Sequence, residues 1–282
     1  MAVFHVNFMS ESLGRTVPLC VILPTDKVYF GNAPRREEGK PFKTLYLLHG
    51  IIGSHIDWLY GSRIQRYAEE HDLAVVMPAG ENGFYVDQPW NLAMYSQYVG
   101  KELVEFTRKS FPLSRKREDT YIGGLSMGGF GALHNGLKYH ETFGAIISLS
   151  GACILDESFL VKVEKPMFPS DTEEFKHSCF GPDLEAAVRG ETNPKVLLKK
   201  LVKEKVEIPA IYLACGEQDF LLEKNHDLAK TLEESGVSFL YETGPGGHEW
   251  DFWDTYIKRA LEWLPLEGKV SGMSSGNIGF DQ

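Results

Sequence analysis

Apolar positions in this chain gather into short runs separated by stretches with helical spacing. Val3 to Phe8 and Thr16 to Leu23 read as strands joined through Ser12-Leu13-Gly14, which predicts an N-terminal hairpin. Six further runs follow: Thr44 to Leu48, Leu73 to Met77, Thr120 to Ile122, Ala145 to Leu149, Ala210 to Ala214 and Val237 to Tyr241. They are apolar without alternation, as central strands of a parallel sheet are when helices cover both faces. Between the runs, Tyr95, Val99, Leu103 and Phe106 recur on one helical face that Pro112 stops. Met127 to Tyr139 is predicted helical despite its glycines, and Trp253, Ile257, Ala260 and Leu264 give a last amphipathic face before Pro265. Strand and helix alternating at this length predict an α/β fold, a mostly parallel central sheet flanked by helices in right-handed crossovers.

The rhythm breaks between residues 152 and 192, where Pro166, Pro169, Pro182 and mixed charges separate two strand signals. That stretch is expected to be a partly helical insertion above the sheet. No Pro/Gly/Ser-rich linker divides the pattern, so residues 1–267 are expected to form a single domain. Residues 32–39 are too charged for the interior and read as a loop. Residues 268–282, rich in Gly and Ser, are expected to be a flexible tail or an arm that packs on another subunit.

Composition narrows the function classes. A formal net charge of -10 argues against nucleic acid and against an anionic membrane surface, both of which need a basic patch. Arg115-Lys116-Arg117 is the one dense basic stretch, and it reads as a solvated loop. Cys20, Cys153, Cys179 and Cys215 form no C-x-x-C pair, which removes a zinc ribbon and a thioredoxin-like motif; buried free thiols are expected instead. No secretory signal and no apolar run of membrane-spanning length is seen, so a soluble, cytoplasmic protein is expected. No metal or cofactor motif is present.

The strongest chemical signal is Gly124-Leu125-Ser126-Met127-Gly128, placed between the run at Thr120 and the helix to Tyr139. A G-x-S-x-G at a strand-to-helix turn lifts a serine hydroxyl above the sheet edge, and the helix start leaves backbone N–H groups free for an oxyanion. The glycines permit close approach of neighbouring backbone. Leu47-Leu48-His49-Gly50-Ile51-Ile52-Gly53 ends an earlier strand in a glycine-bearing loop able to supply a second donor. The expected oxyanion hole is therefore the amides of Ile51 and Met127, with His49 bracing the loop. One such donor is typically worth about 3 kcal/mol in the transition state.

A serine hydroxyl needs a base to take its proton. Of nine histidines, His248 stands in a Gly-rich loop between the last strand and the last helix, late enough for the order serine, acid, histidine. His134 and His140 are expected to face away from the serine or toward solvent, and His226 to lie on the surface. The acid belongs just past a strand end between Ser126 and His248. Asp219 in Cys215-Gly216-Glu217-Gln218-Asp219 fits, with Glu217 as its rival and a helix cap as the alternative role for either.

With Leu48-His49-Gly50, Trp58, Met77-Pro78, Asn82-Gly83-Phe84-Tyr85, Gly124 to Gly129, Cys215-Gly216, Asp219 and Gly247-His248-Glu249-Trp250, the chain resembles the esterase D-like α/β-hydrolases. Within that family it is most like the tributyrin esterase group, which is similar to feruloyl and acetyl-xylan carbohydrate esterases. The likeness runs from Leu45 to about Leu264. It implies Ser126, Asp219 and His248 as a catalytic triad, hydrolysis of short acyl esters of small molecules or oligosaccharides, no metal or cofactor, and a homodimer or homotetramer. It also suggests Trp58, Phe84, Tyr85 and Trp250 as pocket-lining aromatics, with core packing as their alternative role. S-formylglutathione hydrolases and mycolyltransferases are similar at the same motifs, so a thioesterase or acyltransferase is the second expectation. A non-catalytic binding protein is the third, and such proteins usually lack one member of the triad.

Overall fold

The computed structural model describes residues 1–29, 35–166 and 169–266. Residues 268–282, expected as a tail, and 32–34 of the polar loop lie outside the described residues.

The strands are β1 (Ala2–Ser10), β2 (Arg15–Leu23), β3 (Thr44–Leu48), β4 (Ala74–Pro78), β5 (Asp87–Gln88), β6 (Ala93–Met94), β7 (Thr120–Leu125), β8 (Ala145–Leu149), β9 (Ala210–Gly216) and β10 (Phe239–Gly244). β5 and β6 form a small ribbon, and the other eight make one sheet in the order β1-β2-β4-β3-β7-β8-β9-β10. The hairpin β1–β2 and the pair β2–β4 are antiparallel. From β4 to β10 every pairing is parallel. The chain passes from β3 out to β4 and returns to β7 on the other side of β3, so the sheet reverses its order there. Open α/β sheets bind ligands at such a reversal, beyond the carboxyl ends of the strands. Leu48 and Leu125 end β3 and β7 at that crevice.

The helices are α1 (Asp57–Gly61), α2 (Ile64–Glu70), α3 (Tyr95–Gln97), α4 (Leu103–Ser110), α5 (Met127–Lys138), α6 (Glu173–Phe180), α7 (Leu184–Arg189), α8 (Pro194–Lys203), α9 (Leu222–Glu234) and α10 (Trp250–Trp263). A π-turn at Tyr98–Glu102 joins α3 to α4. Successive strand residues feed opposite layers. Tyr46, Leu48, Ile122 and Ile146 pack with Phe130 of α5, Leu198 of α8 and Leu228 of α9. Leu45, Leu47, Tyr121 and Ile147 pack with Tyr67 of α2 and Ile257 of α10. Burial on both faces is why these runs lack alternation. Each such side chain contributes about 1.5–3 kcal/mol relative to exposure.

β7 runs to Leu125 rather than ending near Ile122, which delivers the chain directly to Ser126. β10 begins at Phe239 rather than Val237, because Gly236 (φ 68°) and the Val237 N–H bonded to the Leu232 carbonyl close the end of α9 first. His134 is buried, not turned to solvent; its place on α5 faces inward, and burial pushes its imidazole down to about 3. His226 is exposed, and all four cysteines are free and buried. Between β8 and α8 the chain carries α6 and α7. There Phe159, Phe180 and Leu184 join the larger core, and buried Lys176 donates to the carbonyls of Phe159 and Val161. Among the described residues no helix is long and apolar enough to cross a membrane.

Candidate active site

Ser126 sits at the turn between β7 and α5 with φ 54° and ψ -118°. A non-glycine residue held there costs about 1–3 kcal/mol, so its surroundings must hold it. Its N–H donates to the Leu149 carbonyl of β8 at 2.9 Å, and its own carbonyl accepts from Ala152 at 2.9 Å. The flanking glycines are required by contact. A Cβ on Gly124 would lie 2.5 Å from the Gly128 carbonyl, and one on Gly128 would meet the carbonyl oxygens of Leu48 and His49. The turn is thus pressed between β8 and the end of β3, with the first N–H groups of α5, Met127 among them, at its mouth.

His248 and Asp219 meet this serine from the ends of β10 and β9. His248 Nε2 lies 2.9 Å from Ser126 Oγ, and His248 Nδ1 lies 2.9 Å from Asp219 Oδ2. The two loops are stitched together by Glu217 N–H to the Gly244 carbonyl (2.9 Å), Gln218 N–H to the Gly246 carbonyl (3.0 Å) and Gly246 N–H to Gln218 Oε1 (2.8 Å). Asp219 is buried, whereas Glu217, its rival, is exposed. Burial alone would raise the Asp219 carboxyl. Hydrogen bonds from His248 and the Leu221 N–H outweigh it and hold the carboxyl below its ordinary value. The Leu221 N–H lies 2.8 Å from Oδ1. The imidazole stands edge-on to Trp253 (4.9 Å between centroids) and against Phe220 (4.7 Å).

On the other side of Ser126, His49 braces the β3 loop. Its Nδ1 is 2.7 Å from the Gly50 carbonyl, and its Nε2 accepts the Gly80 N–H at 2.9 Å. Because Gly80 can only donate, Nδ1 carries the proton and the ring is neutral; burial, which lowers its pKa, acts the same way. The Gly50 carbonyl also accepts from the Gly53 N–H at 3.2 Å. Fixing that carbonyl fixes the peptide whose opposite end is the Ile51 N–H. Gly50 itself backs onto Ser126, since a Cβ there would lie 3.5 Å from that of the serine.

Three of the aromatics expected along the pocket are core residues instead. Trp58 is 1% exposed, Phe84 3% and Tyr85 0%. Trp58 Nε1 donates to the Leu48 carbonyl at 2.9 Å, and the Tyr85 hydroxyl donates to the His49 carbonyl at 3.1 Å. Phe84 packs among Phe130, Phe175 and Phe180. Trp58 and Tyr85 face inward because two buried carbonyls at the end of β3 need donors. Trp250 remains partly exposed, edge-on to Trp58 and Trp253. The motifs assign no site role to Trp253 or Phe220, which flank the imidazole, or to Asn82, whose Oδ1 accepts the Ile52 N–H at 2.8 Å. Among the described residues no cluster of three or more His, Cys, Asp or Glu is placed to hold a metal.

The Esterase family model, described as "Putative esterase", matches residues 10–264. The chain belongs to this esterase family. The esterase is 42% identical over 265 residues to an acetyl esterase of Caldicellulosiruptor saccharolyticus, across 94% of this chain and 98% of that relative. Among solved structures it is similar to FphF, a fluorophosphonate-binding serine hydrolase of Staphylococcus aureus, with 34% identity and a TM-score of 0.80. It is likewise similar to the S-formylglutathione hydrolase FrmB of the same organism, at 34% identity and a TM-score of 0.78. Each of these two matches covers 93% of this chain and 98% of the other. The fold is that of the α/β-hydrolases, and the protein is a carboxylic ester hydrolase.

Proposed function

We propose that the esterase releases short acyl groups from carboxylic esters through an acyl-enzyme on Ser126. His248 Nε2 takes the hydroxyl proton as Oγ attacks the ester carbonyl, and Asp219 holds the Nδ1–H and balances the imidazolium that forms. The N–H groups of Ile51 and Met127 receive the oxyanion of the tetrahedral intermediate. Collapse expels the alcohol, which takes its proton from His248. A water activated by the same imidazole then frees the acid. The observation that carries this reading is the unbroken sequence of two 2.9 Å hydrogen bonds, Ser126 to His248 to Asp219. Ser126→Ala is expected to abolish turnover of p-nitrophenyl acetate, and near-wild-type activity of that variant would end the proposal.

Short acyl groups are favoured by the likeness to an acetyl esterase. They are also favoured by the commitment of Trp58, Phe84 and Tyr85 to the core. Clefts of about 760 and 600 Å³ exist, but they lie at the amino ends of β9 and β10 and beside Phe42, away from Ser126. Each methylene of acyl chain shifts discrimination by about 1–3 kcal/mol, so p-nitrophenyl acetate should lead the longer esters. Thioester hydrolysis is the second reading, favoured by the similarity to an S-formylglutathione hydrolase. Rates on matched O-acyl and S-acyl substrates, alongside acetylated and feruloylated oligosaccharides, separate the two.

A further inference from the structure

The turn between β9 and α9 sends neighbouring side chains to opposite sides. Asp219 and Leu221 are 5% and 6% exposed, whereas Phe220 between them is 68% exposed. Hydrogen bonds impose this arrangement. The Asp219 N–H donates to the Gly216 carbonyl at 3.0 Å, the Leu222 N–H to the Asp219 carbonyl at 3.0 Å, and the Leu221 N–H to Asp219 Oδ1 at 2.8 Å. With the acid turned inward, residue 220 points outward, where a polar side chain would ordinarily stand. The position instead holds a phenyl ring, set against the imidazole of His248 with 4.7 Å between centroids and 47° between planes. Holding the imidazole does not account for that ring. His248 already bonds Asp219 Oδ2 at 2.9 Å and stands edge-on to buried Trp253, whose Nε1 donates to Ser150 Oγ at 3.1 Å.

We infer that Phe220 receives the alcohol half of the ester and selects alcohols that carry a ring with an apolar face. The inference rests on the acyl-enzyme route proposed above and extends it to the leaving group. In that route the departing oxygen takes its proton from His248 Nε2, so it must come within hydrogen-bond distance of that atom. The amides of Ile51 and Met127 engage the carbonyl oxygen, which leaves the alcohol on the side of the imidazole. Whatever the departing oxygen carries then lies beside His248, and Phe220 is a large, exposed apolar side chain in contact with that ring. A phenyl group packs an aryl ring offset or edge-on, and it covers the C–H face of a pyranose in the same way. An ethyl group is too small to gain much from it. The contact exists only while the alcohol is bound, so it acts on formation of the acyl-enzyme and not on its hydrolysis.

The test uses Phe220→Ala with the acetates of ethanol, benzyl alcohol and a methyl xyloside, which share one acetyl-enzyme. Comparing variant with wild type on each ester cancels the intrinsic reactivity of its alcohol. In Phe220→Ala, kcat/KM should fall about tenfold for benzyl acetate and less than about twofold for ethyl acetate. Phe220→Trp restores a ring and should bring benzyl acetate back to within about threefold of the wild type. The lifetime of the acetyl-enzyme, followed by quenched-flow mass spectrometry, should stay within about twofold in Phe220→Ala, because the alcohol has already left. A xyloside acetate that falls with benzyl acetate identifies a sugar face as a ligand of Phe220, and one that falls with ethyl acetate restricts the site to aryl alcohols. Equal losses on benzyl and ethyl acetate, or a longer-lived acetyl-enzyme, would show that Phe220 only steadies the imidazole. No loss on either ester would show that the alcohol lies elsewhere, and any of these results overturns the inference. Ser126→Ala keeps two failures apart: if it is inactive, such a result refutes the role of Phe220 alone, whereas an active Ser126→Ala refutes the acyl-enzyme reading itself.

Discussion

The two sides of Ser126 are held by different chemistry. On the side of the proposed oxyanion hole, the end of β3 is fixed by neutral hydrogen bonds: Trp58 to the Leu48 carbonyl, Tyr85 to the His49 carbonyl, and the uncharged His49 ring between Gly50 and Gly80. On the side of the proposed proton transfer, the buried Asp219 carboxylate meets His248 and the Leu221 N–H through charge-assisted bonds at the ends of β9 and β10. The first arrangement fixes the direction of a backbone donor. The second fixes a charge. Preorganised dipoles suit an oxyanion that exists only briefly, while a permanent carboxylate suits an imidazolium that must form and vanish in each step.

Removing the charge should do most damage. Asp219→Asn keeps the shape but not the carboxylate, and kcat should fall about 10³–10⁴-fold. A loss under tenfold would mean that the two sides do not differ as described. Tyr85→Phe removes a neutral tie and leaves the His49 carbonyl without its donor. It should cost about 1–3 kcal/mol in denaturant unfolding and about tenfold in kcat, with KM little changed. Wild-type kcat in that variant would show that the loop needs no such tie.

Acid sharpens the comparison through stability. His134, buried on α5, is pushed down to about 3, so the unfolded chain takes up that proton first. Stability should therefore fall once the pH drops below about 6.5, by up to about 1.4 kcal/mol per pH unit. His49, also lowered by burial, adds to the fall with the same sign. The Asp219 carboxyl is held below its ordinary value, so its contribution persists through this window and is lost only in stronger acid. Denaturation midpoints against pH for the wild type and His134→Gln check this, and equal slopes would contradict it. The smallest effect is expected from Asn82→Ala, which frees the Ile52 N–H at an exposed site and should lower kcat about twofold.

Much of this was legible in the amino acids. Runs without alternation gave the parallel strands because both sheet faces are covered, and Gly124 and Gly128 gave the turn because backbone carbonyls stand where their side chains would be. Asp219 was distinguished from Glu217 only by preference, and burial decides between them. What sequence could not supply was the direction of side chains. Trp58 and Tyr85 sit in motifs beside the serine, yet an aromatic that donates to a buried carbonyl and one that lines a pocket have the same spacing. The helical face of Tyr95, Val99, Leu103 and Phe106 crosses a π-turn that periodicity does not register.

The central claim, that Ser126 is the one hydroxyl activated by this pair of hydrogen bonds, is tested most directly by covalent capture. The intact esterase is treated with a fluorophosphonate and the labelled peptide is mapped by mass spectrometry. One adduct per chain, on Ser126, abolished in His248→Ala, is the result expected. An adduct on another serine, or undiminished labelling without the imidazole, would contradict it.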